Sequence, residues 1–326
     1  MISIAMLWVA CSGSDKGTDS GTDEPFTLAA NKVQGGVMLS AFTLGDEMVM
    51  AGGSYGTTGS LWRYDGDELC VEENVAEGAL WWLHGRSATD FYAVGDAGII
   101  IHEVDGTRTR EDLPDDTLTN YGVYDDGSDV WVVSGDVRGD QTGEIWRKEA
   151  GGKWTKVADT PGLAFKVHED WFVGDGFAWR WNGTDFDDLT PKEAPRLLTV
   201  RVRGENDVWA VGGLQLPEFW HWDGATWSRP ELDTLCVGQA LNGVITAPGE
   251  PVYVTGNFGT VSAYEDDGTY TCASFPVTAE HFHAVWTFGG EVLAVGGNLF
   301  AQSGHYATIA RSPARGPITF AGACAP

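Results

Sequence analysis

The sequence predicts an all-β chain folded as a seven-bladed β-propeller of four-stranded antiparallel blades, with six or eight blades as the alternatives. Three observations predict it. A short β-type run ending in glycine recurs along the chain, a turn-forming pair such as Asp-Gly follows it in most repeats, and no stretch reads as a long amphipathic helix. The 326 residues include 44 glycines and 15 tryptophans but only 21% charged residues, a mixture suited to many short strands joined by tight turns.

The recurring run is Met48–Gly52, Phe91–Gly95, Trp131–Gly135, Trp171–Gly174, Val208–Gly212, Val252–Gly256 and Val292–Gly296. Its terminal glycines lie 43, 40, 39, 38, 44 and 40 residues apart, the length of one four-stranded blade. The second mark is Asp65-Gly66, Asp105-Gly106, Gly151-Gly152, Asn182-Gly183, Asp223-Gly224 and Asp267-Gly268. Such pairs accept the positive φ of a two-residue hairpin turn, and period-2 aromatics such as Trp179 and Trp181 flank them. Each blade therefore reads as an inner strand, the Gly-ended strand, a third strand, the turn and an outer strand. The seventh repeat lacks the turn pair. Its third strand is expected at Ala307 to Arg311, completed either by Pro317 to Ala321 or by an N-terminal strand around Phe26 to Ala30, which would clasp the ring.

The ends and the cysteines bear on location. Residues 1–11 read as an export signal, because Leu7-Trp8-Val9-Ala10-Cys11 resembles a bacterial lipobox whose cysteine is lipidated. Residues 12–34 read as a flexible acidic Ser/Gly/Asp tether, which can include a ring-closing strand, and 35–326 as the propeller. The expected location is the outer membrane, periplasm or cell surface, with lipid at Cys11 as the only membrane contact. Cys70, Cys236, Cys272 and Cys324 are an even set in an exported chain, so two disulfides are expected. Three pairings are open. Cys70 and Cys272 hold equivalent repeat positions, which argues that each pairs outside its own strand; the expected set is Cys236 with Cys272 and Cys70 with Cys324.

The strand Asp207–Gly212 followed by Trp220-His-Trp-Asp-Gly-Ala-Thr-Trp227 resembles the repeat unit of secreted bacterial propellers in the broad sialidase-like and photosystem-assembly-factor-like group. The resemblance spans residues 35 to 326 and implies the fold without an activity. WD40 signatures are missing, and the sialidase Asp-box is only echoed at Tyr264–Tyr270.

Charge limits the partners. A formal charge of −27 repels nucleic acid and anionic membranes and leaves basic ligands or divalent cations open; the expected partner is an unidentified protein or glycan, and the expected state a monomer. Asp96, Asp136, Asp175 and Asn257 each follow a Gly-ended run and could ring the channel mouth as oxygen ligands for calcium; the same residues make good local turns, the preferred reading. His281 and His283, two apart in an inner strand, could share a face and hold a metal, yet no third ligand is evident. His102 and His221 sit at matching repeat positions and read as scaffold. Trp81, Trp82, Tyr121 and Trp286 near inner strands could stack on a sugar or peptide. Arg86, Arg138, Arg201 and Arg203 lack the motif of a carboxylate-binding glycosidase, and no nucleophile elbow occurs. The expected function is a non-enzymatic cell-envelope binding scaffold, with no cofactor unless calcium. A sialidase-like glycan hydrolase and a calcium-dependent adhesion protein are the alternatives.

Overall fold

The computed structural model describes residues 24–325 apart from 115–116, 300, 302–303 and 314. Seven antiparallel four-stranded sheets follow one another around a ring, one of them extended by a fifth strand. The inner strands are Val37–Leu44, Leu80–Ser87, Thr119–Asp125, Ala164–His168, Leu197–Gly204, Leu241–Ile245 and Phe282–Phe288. Each packs against the inner strands of both neighbouring blades, so the seven surround a common axis.

Burial grades outward through each blade. The second strand lies between blades and is apolar on both faces; Glu291–Gly297 is buried along its whole length. The fourth strand meets solvent, as in Thr107–Glu111. Aromatics on the second strands tie blade to blade, with Trp131 on Phe172 at 5.2 Å, Trp171 on Trp222 at 5.7 Å and Trp209 on Tyr264 at 5.5 Å.

The glycine that ends the second strand is explained by close approach. None of these seven glycines has a positive φ, so conformational freedom is not what selects them. In Gly95, Gly174, Gly212, Gly256 and Gly296 an added Cβ would overlap the carbonyl oxygen of Ala79, Leu163, Arg196, Ala240 and His281, respectively. The same five carbonyls accept the N–H of the residue after the glycine, at 2.8–3.1 Å. That hydrogen bond draws the start of the inner strand over the glycine Cα and leaves no room for a side chain. Gly52 meets the carbonyl of Val37 in the same way, and Gly135 meets the Leu163 side chain of the next blade at 2.8 Å.

Directly beside this contact, every inner strand carries a β-bulge. The pairing register slips by one residue at Leu39, Trp81, Tyr121, Phe165, Leu198, Asn242 and His283, once per blade and always at the same level. A bulge turns one side chain away from the regular alternation of the strand.

Both chain ends close the ring. Thr27–Val33 pairs with Ala307–Ser312 as the outer strand of the seventh blade, so these residues, within the segment read as tether, are part of the propeller. Thr319–Ala323 does not complete that blade. It crosses to the first blade and lies parallel to Glu68–Ala76 as the fifth strand. There Cys324 is bonded to Cys70, 254 residues away, while Cys236 is bonded to Cys272 across 36 residues. Ile318 also donates to the Ala29 carbonyl at 2.9 Å, linking the two terminal strands.

Replacing Gly212 by Ala is expected to destabilise the fold by about 1–3 kcal/mol through overpacking against the Arg196 carbonyl. Gly316 has open space around it and no positive φ, so Gly316→Ala should be nearly neutral. Equilibrium denaturation of both variants measures the contrast; equal losses would count against the close-approach account.

Candidate functional site

The seven bulged side chains meet at one end of the axis. Leu39, Trp81, Tyr121, Phe165, Leu198, Asn242 and His283, one from each blade, all line a hollow of about 310 Å³ there. Trp82, Val137, Leu163, Lys166, Arg196, Thr199 and Leu299 complete its walls. One side is an aromatic arc, with Trp81 on Tyr121 at 5.2 Å and Tyr121 on Phe165 at 5.3 Å, both edge-on. The other side is polar and already hydrogen-bonded. Asn242 donates to Asn257 Oδ1 at 3.1 Å and to the Phe282 carbonyl at 2.9 Å, and Thr199 donates to the Asn242 carbonyl at 2.6 Å.

Three of the four residues that follow the Gly-ended runs hold lining side chains from behind. Asp96 accepts from Trp81 Nε1 at 2.7 Å and from the Ala79 and Gly56 amides. Asp175 is paired with Arg196, and Asn257 accepts from Asn242. Asp136 caps its own turn by accepting from the Arg138 and Gly139 amides, which carries Val137 to the rim. These oxygens are thus spent on positioning and on turns.

His281 and His283 lie on either side of the bulge, with ring centres 6.4 Å apart, and are bonded to different partners. His281 bonds Asn257 at 3.0 Å, whereas His283 lines the hollow and bonds the Gly297 carbonyl at 3.1 Å. Among the described residues no group of three or more His, Cys, Asp or Glu is arranged to hold a metal ion. Trp286 lies at a different level, below the mouth.

That lower level is a collar of rings. Trp286 packs on Phe42 at 4.6 Å, Phe42 on His84 at 4.4 Å, His84 on Tyr124 at 4.3 Å and Tyr124 on His168 at 5.3 Å. The Arg201 guanidinium sits 4.2 Å over the Trp286 ring, with no hydrogen-bond acceptor for its buried Nε. Burial holds His84 down to about 3 and His283 down to about 4, and pushes His168 well below the usual histidine range. Their bonding agrees with neutral rings: the Nδ1 atoms of His84 and His168 accept the Asp125 and Val202 amides at 3.1 and 3.3 Å. Burial also lowers Arg201 to about 9, which leaves it charged at neutral pH.

The remaining arginines named above do not converge. Arg86 pairs with Asp90 and Asp125, Arg203 with Asp207 and Asp266, and Arg138 stands exposed near the mouth. His102 and His221 play matching scaffold parts, each bonding the aspartate that begins the second strand, at 3.0 Å, and stacking on Tyr92 or Trp209. A larger hollow of about 540 Å³ lies at the opposite end, between the hairpin loops of the third to fifth blades. Much of its charge is internally paired, Asp129 with Arg147 and Asp170 with Arg180. The mouth is the better candidate because every blade contributes to it and its polar groups are held in place.

Sequence reasoning brings Trp81, Trp82 and Tyr121 to the mouth and misses Leu39, Phe165, Lys166, Leu198 and Asn242. A usable signal exists. The bulged residue stands 13 or 14 positions before the Gly-ended run's glycine in six blades, and nine before it in the fourth, whose first hairpin is short.

No protein-family model and no curated protein matches this chain. Solved structures do. The WD40 β-propeller domain of Doa1 superposes with a TM-score of 0.64 at 12% identity, covering 89% of this chain and 97% of that one. YCF48 bound to D1 peptide gives 0.64 at 14%, covering 90% and 98%. The computationally designed Ika8 protein gives 0.57 at 11%, covering 85% and 98%. At these identities the likeness shows the β-propeller fold alone.

The buried neutral histidines make stability fall on acidification. Their folded pKa values lie below the unfolded value of 6.5, so protonation favours unfolding, and stability present above about 6.5 is lost as pH falls towards about 3. Replacing His84 by Gln, which can accept the Asp125 amide without taking up a proton, should flatten the fall of Tm between pH 6.5 and 4. Identical slopes in both proteins would remove His84 as a contributor.

Proposed function

We propose that this chain is a non-enzymatic binding propeller of the bacterial cell envelope, exported and held by lipid at Cys11, and that its ligand seats at the channel mouth. Cys11 lies outside the described residues. The observation that carries the reading is the sevenfold bulge, which re-aims one side chain per blade into a single aromatic-walled hollow. Repeated expenditure of regular pairing at one level, on side chains fastened from behind by Asp96, Asp175 and Asn257, fits a preformed recognition surface. YCF48, a propeller of similar shape, was solved with a peptide bound, which supports a peptide or protein as the ligand. Two disulfides are compatible with an oxidising compartment.

Two measurements check it. A photo-crosslinking amino acid in place of Val137, at the rim, should capture a cellular partner, and the capture should be lost when Trp81→Ala and Tyr121→Ala are combined. Equal capture from a control position on the outer strand, such as Asp187, or capture that survives the double variant, would sink the assignment of the mouth. For the anchor, Cys11→Ser should move the protein from the membrane fraction to the soluble one; an unchanged distribution would refute lipidation there.

A further inference from the structure

The most unusual group in the molecule lies in the wall of the mouth. Lys166 is only 7% exposed, yet among the described residues no carboxylate is within ion-pair distance of its ammonium. Its Nζ donates to the Tyr121 carbonyl at 3.1 Å and rests 3.4 Å from the centre of the Trp82 ring, leaving further N–H donors. The other charged side chain in the wall, Arg196, is taken by Asp175. Below, Arg201 stands over Trp286, and no acidic side chain lines the hollow. Two buried cations therefore stand on tryptophan faces along the axis of a chain whose formal charge is −27.

A buried cation without a counter-charge is expensive, and folds retain such groups where function needs them. The burial and the nearby Arg201 charge hold Lys166 well below the ordinary lysine range, so its charged form is disfavoured until a counter-charge arrives. An incoming anion supplies the missing counter-charge in a place where water cannot screen it. The aromatic arc of Trp81, Tyr121 and Phe165 offers an apolar seat beside it.

We propose that the mouth recognises a carboxylate carried on an aromatic or branched apolar group, the carboxylate pairing with the Lys166 ammonium and the apolar group lying against Trp81, Tyr121 and Phe165. Lys166 is then the residue that selects anion over neutral analogue. This rests on the mouth being the binding site. The same chemistry is offered by a free organic acid and by the C-terminus of a peptide.

The test is calorimetric titration of the full chain with N-acetyl-phenylalanine and with its neutral amide. The acid should bind at least about tenfold more tightly, as expected for one charge-assisted contact in a desolvated site. Lys166→Met should bring the ratio close to one, while Lys166→Arg should keep most of it. Lys166→Met should also raise Tm, because an unpaired buried cation is replaced by an apolar side chain of similar length; a folded variant is thus the expected outcome. A peptide ending in Phe, with free or amidated C-terminus, separates the two sources: much tighter binding of the free-ended peptide than of N-acetyl-phenylalanine points to a chain terminus, and equal binding to a small acid. The proposal is overturned by equal affinity for acid and amide, by a ratio that survives Lys166→Met, or by no binding of the acid up to about 10 mM. Capture at Val137 together with equal acid and amide binding would leave the mouth as the binding site and remove only the carboxylate; loss of both would remove the two together.

Discussion

The contact on which the rest of the molecule depends is the meeting of a main-chain carbonyl with a glycine that has no side chain. Where the inner strand enters the blade, in five blades its carbonyl accepts an N–H from just beyond the Gly-ended run and lies over the glycine Cα. Six carbonyl-to-glycine contacts, with the Leu163 side chain over Gly135 in the remaining blade, set how closely the first two strands of a blade approach at the mouth, and the bulge follows two residues after the carbonyl on the inner strand. The tight hydrogen bond and the bulge are two parts of one local arrangement: the first fixes the strand entrance, the second lets the next side chain leave the inter-blade layer and face the axis. The frame that repeats for reasons of packing therefore also repeats one axis-facing position, and the residue at that position differs from blade to blade. It is leucine in two blades, aromatic in three, and Asn or His in the others.

This explains why the repeat was legible and the site largely was not. A glycine demanded by a backbone collision leaves a fixed residue at a fixed interval, and the hairpin pairs leave fixed turn residues, so blade number and strand order could be read from composition and spacing. The bulged position carries no preferred residue type, and a bulge is a relation between two strands that neither strand displays alone. Period-2 reasoning across it fails, which is why Phe165, Leu198 and Asn242 were not placed at the mouth. Asp96 and Asp175 were conspicuous for a sound reason, since each stands next to the mouth. Their role is indirect, however: they hold Trp81 and Arg196 in place. The C-terminal strand was harder still, because its partner is the outer strand of the first blade, some 250 residues away, and the disulfide that marks the pairing was one of several open connectivities.

Charge is distributed so that the axis opposes the whole. Carboxylates outnumber basic groups by 47 to 20, but many described arginines are consumed in ion pairs, as Arg63 is by Glu47, Glu72 and the buried Glu103. The cations left without a carboxylate partner include Lys166 and Arg201, both on axis-facing positions of inner strands and both laid on a tryptophan. An acidic exterior around buried cationic groups on the axis has two physical effects. It disfavours strongly anionic macromolecules at long range, since their approach is governed by net charge, and it favours a single compact anion once inside, where the local field is no longer screened. Under the proposed carboxylate recognition, discrimination between a polyanion and a lone carboxylate would follow from that geometry.

The ring closure bears on the same site. The blades that meet at the closure, the seventh and the first, contribute His283 and Leu39 to the mouth. Any opening of this junction would separate those two side chains and slacken a hollow to which every blade gives one wall. Other junctions are crossed by continuous chain; at this one the packing of Phe42 on Trp286 and the hydrogen bond from Thr43 Oγ1 to the Thr287 carbonyl are supplemented by what the termini supply: an N-terminal strand completing the seventh blade, a C-terminal strand added to the first, a hydrogen bond from Ile318 to Ala29 between them, and the covalent bond from Cys324 to Cys70. Closing a span of 254 residues restricts the unfolded chain strongly, and closing it where no continuous chain crosses between blades also restricts local opening of the native ring. The staple at the periphery thereby preserves the geometry at the axis, because in a ring whose site takes one residue from each blade, no junction can loosen without the site loosening with it.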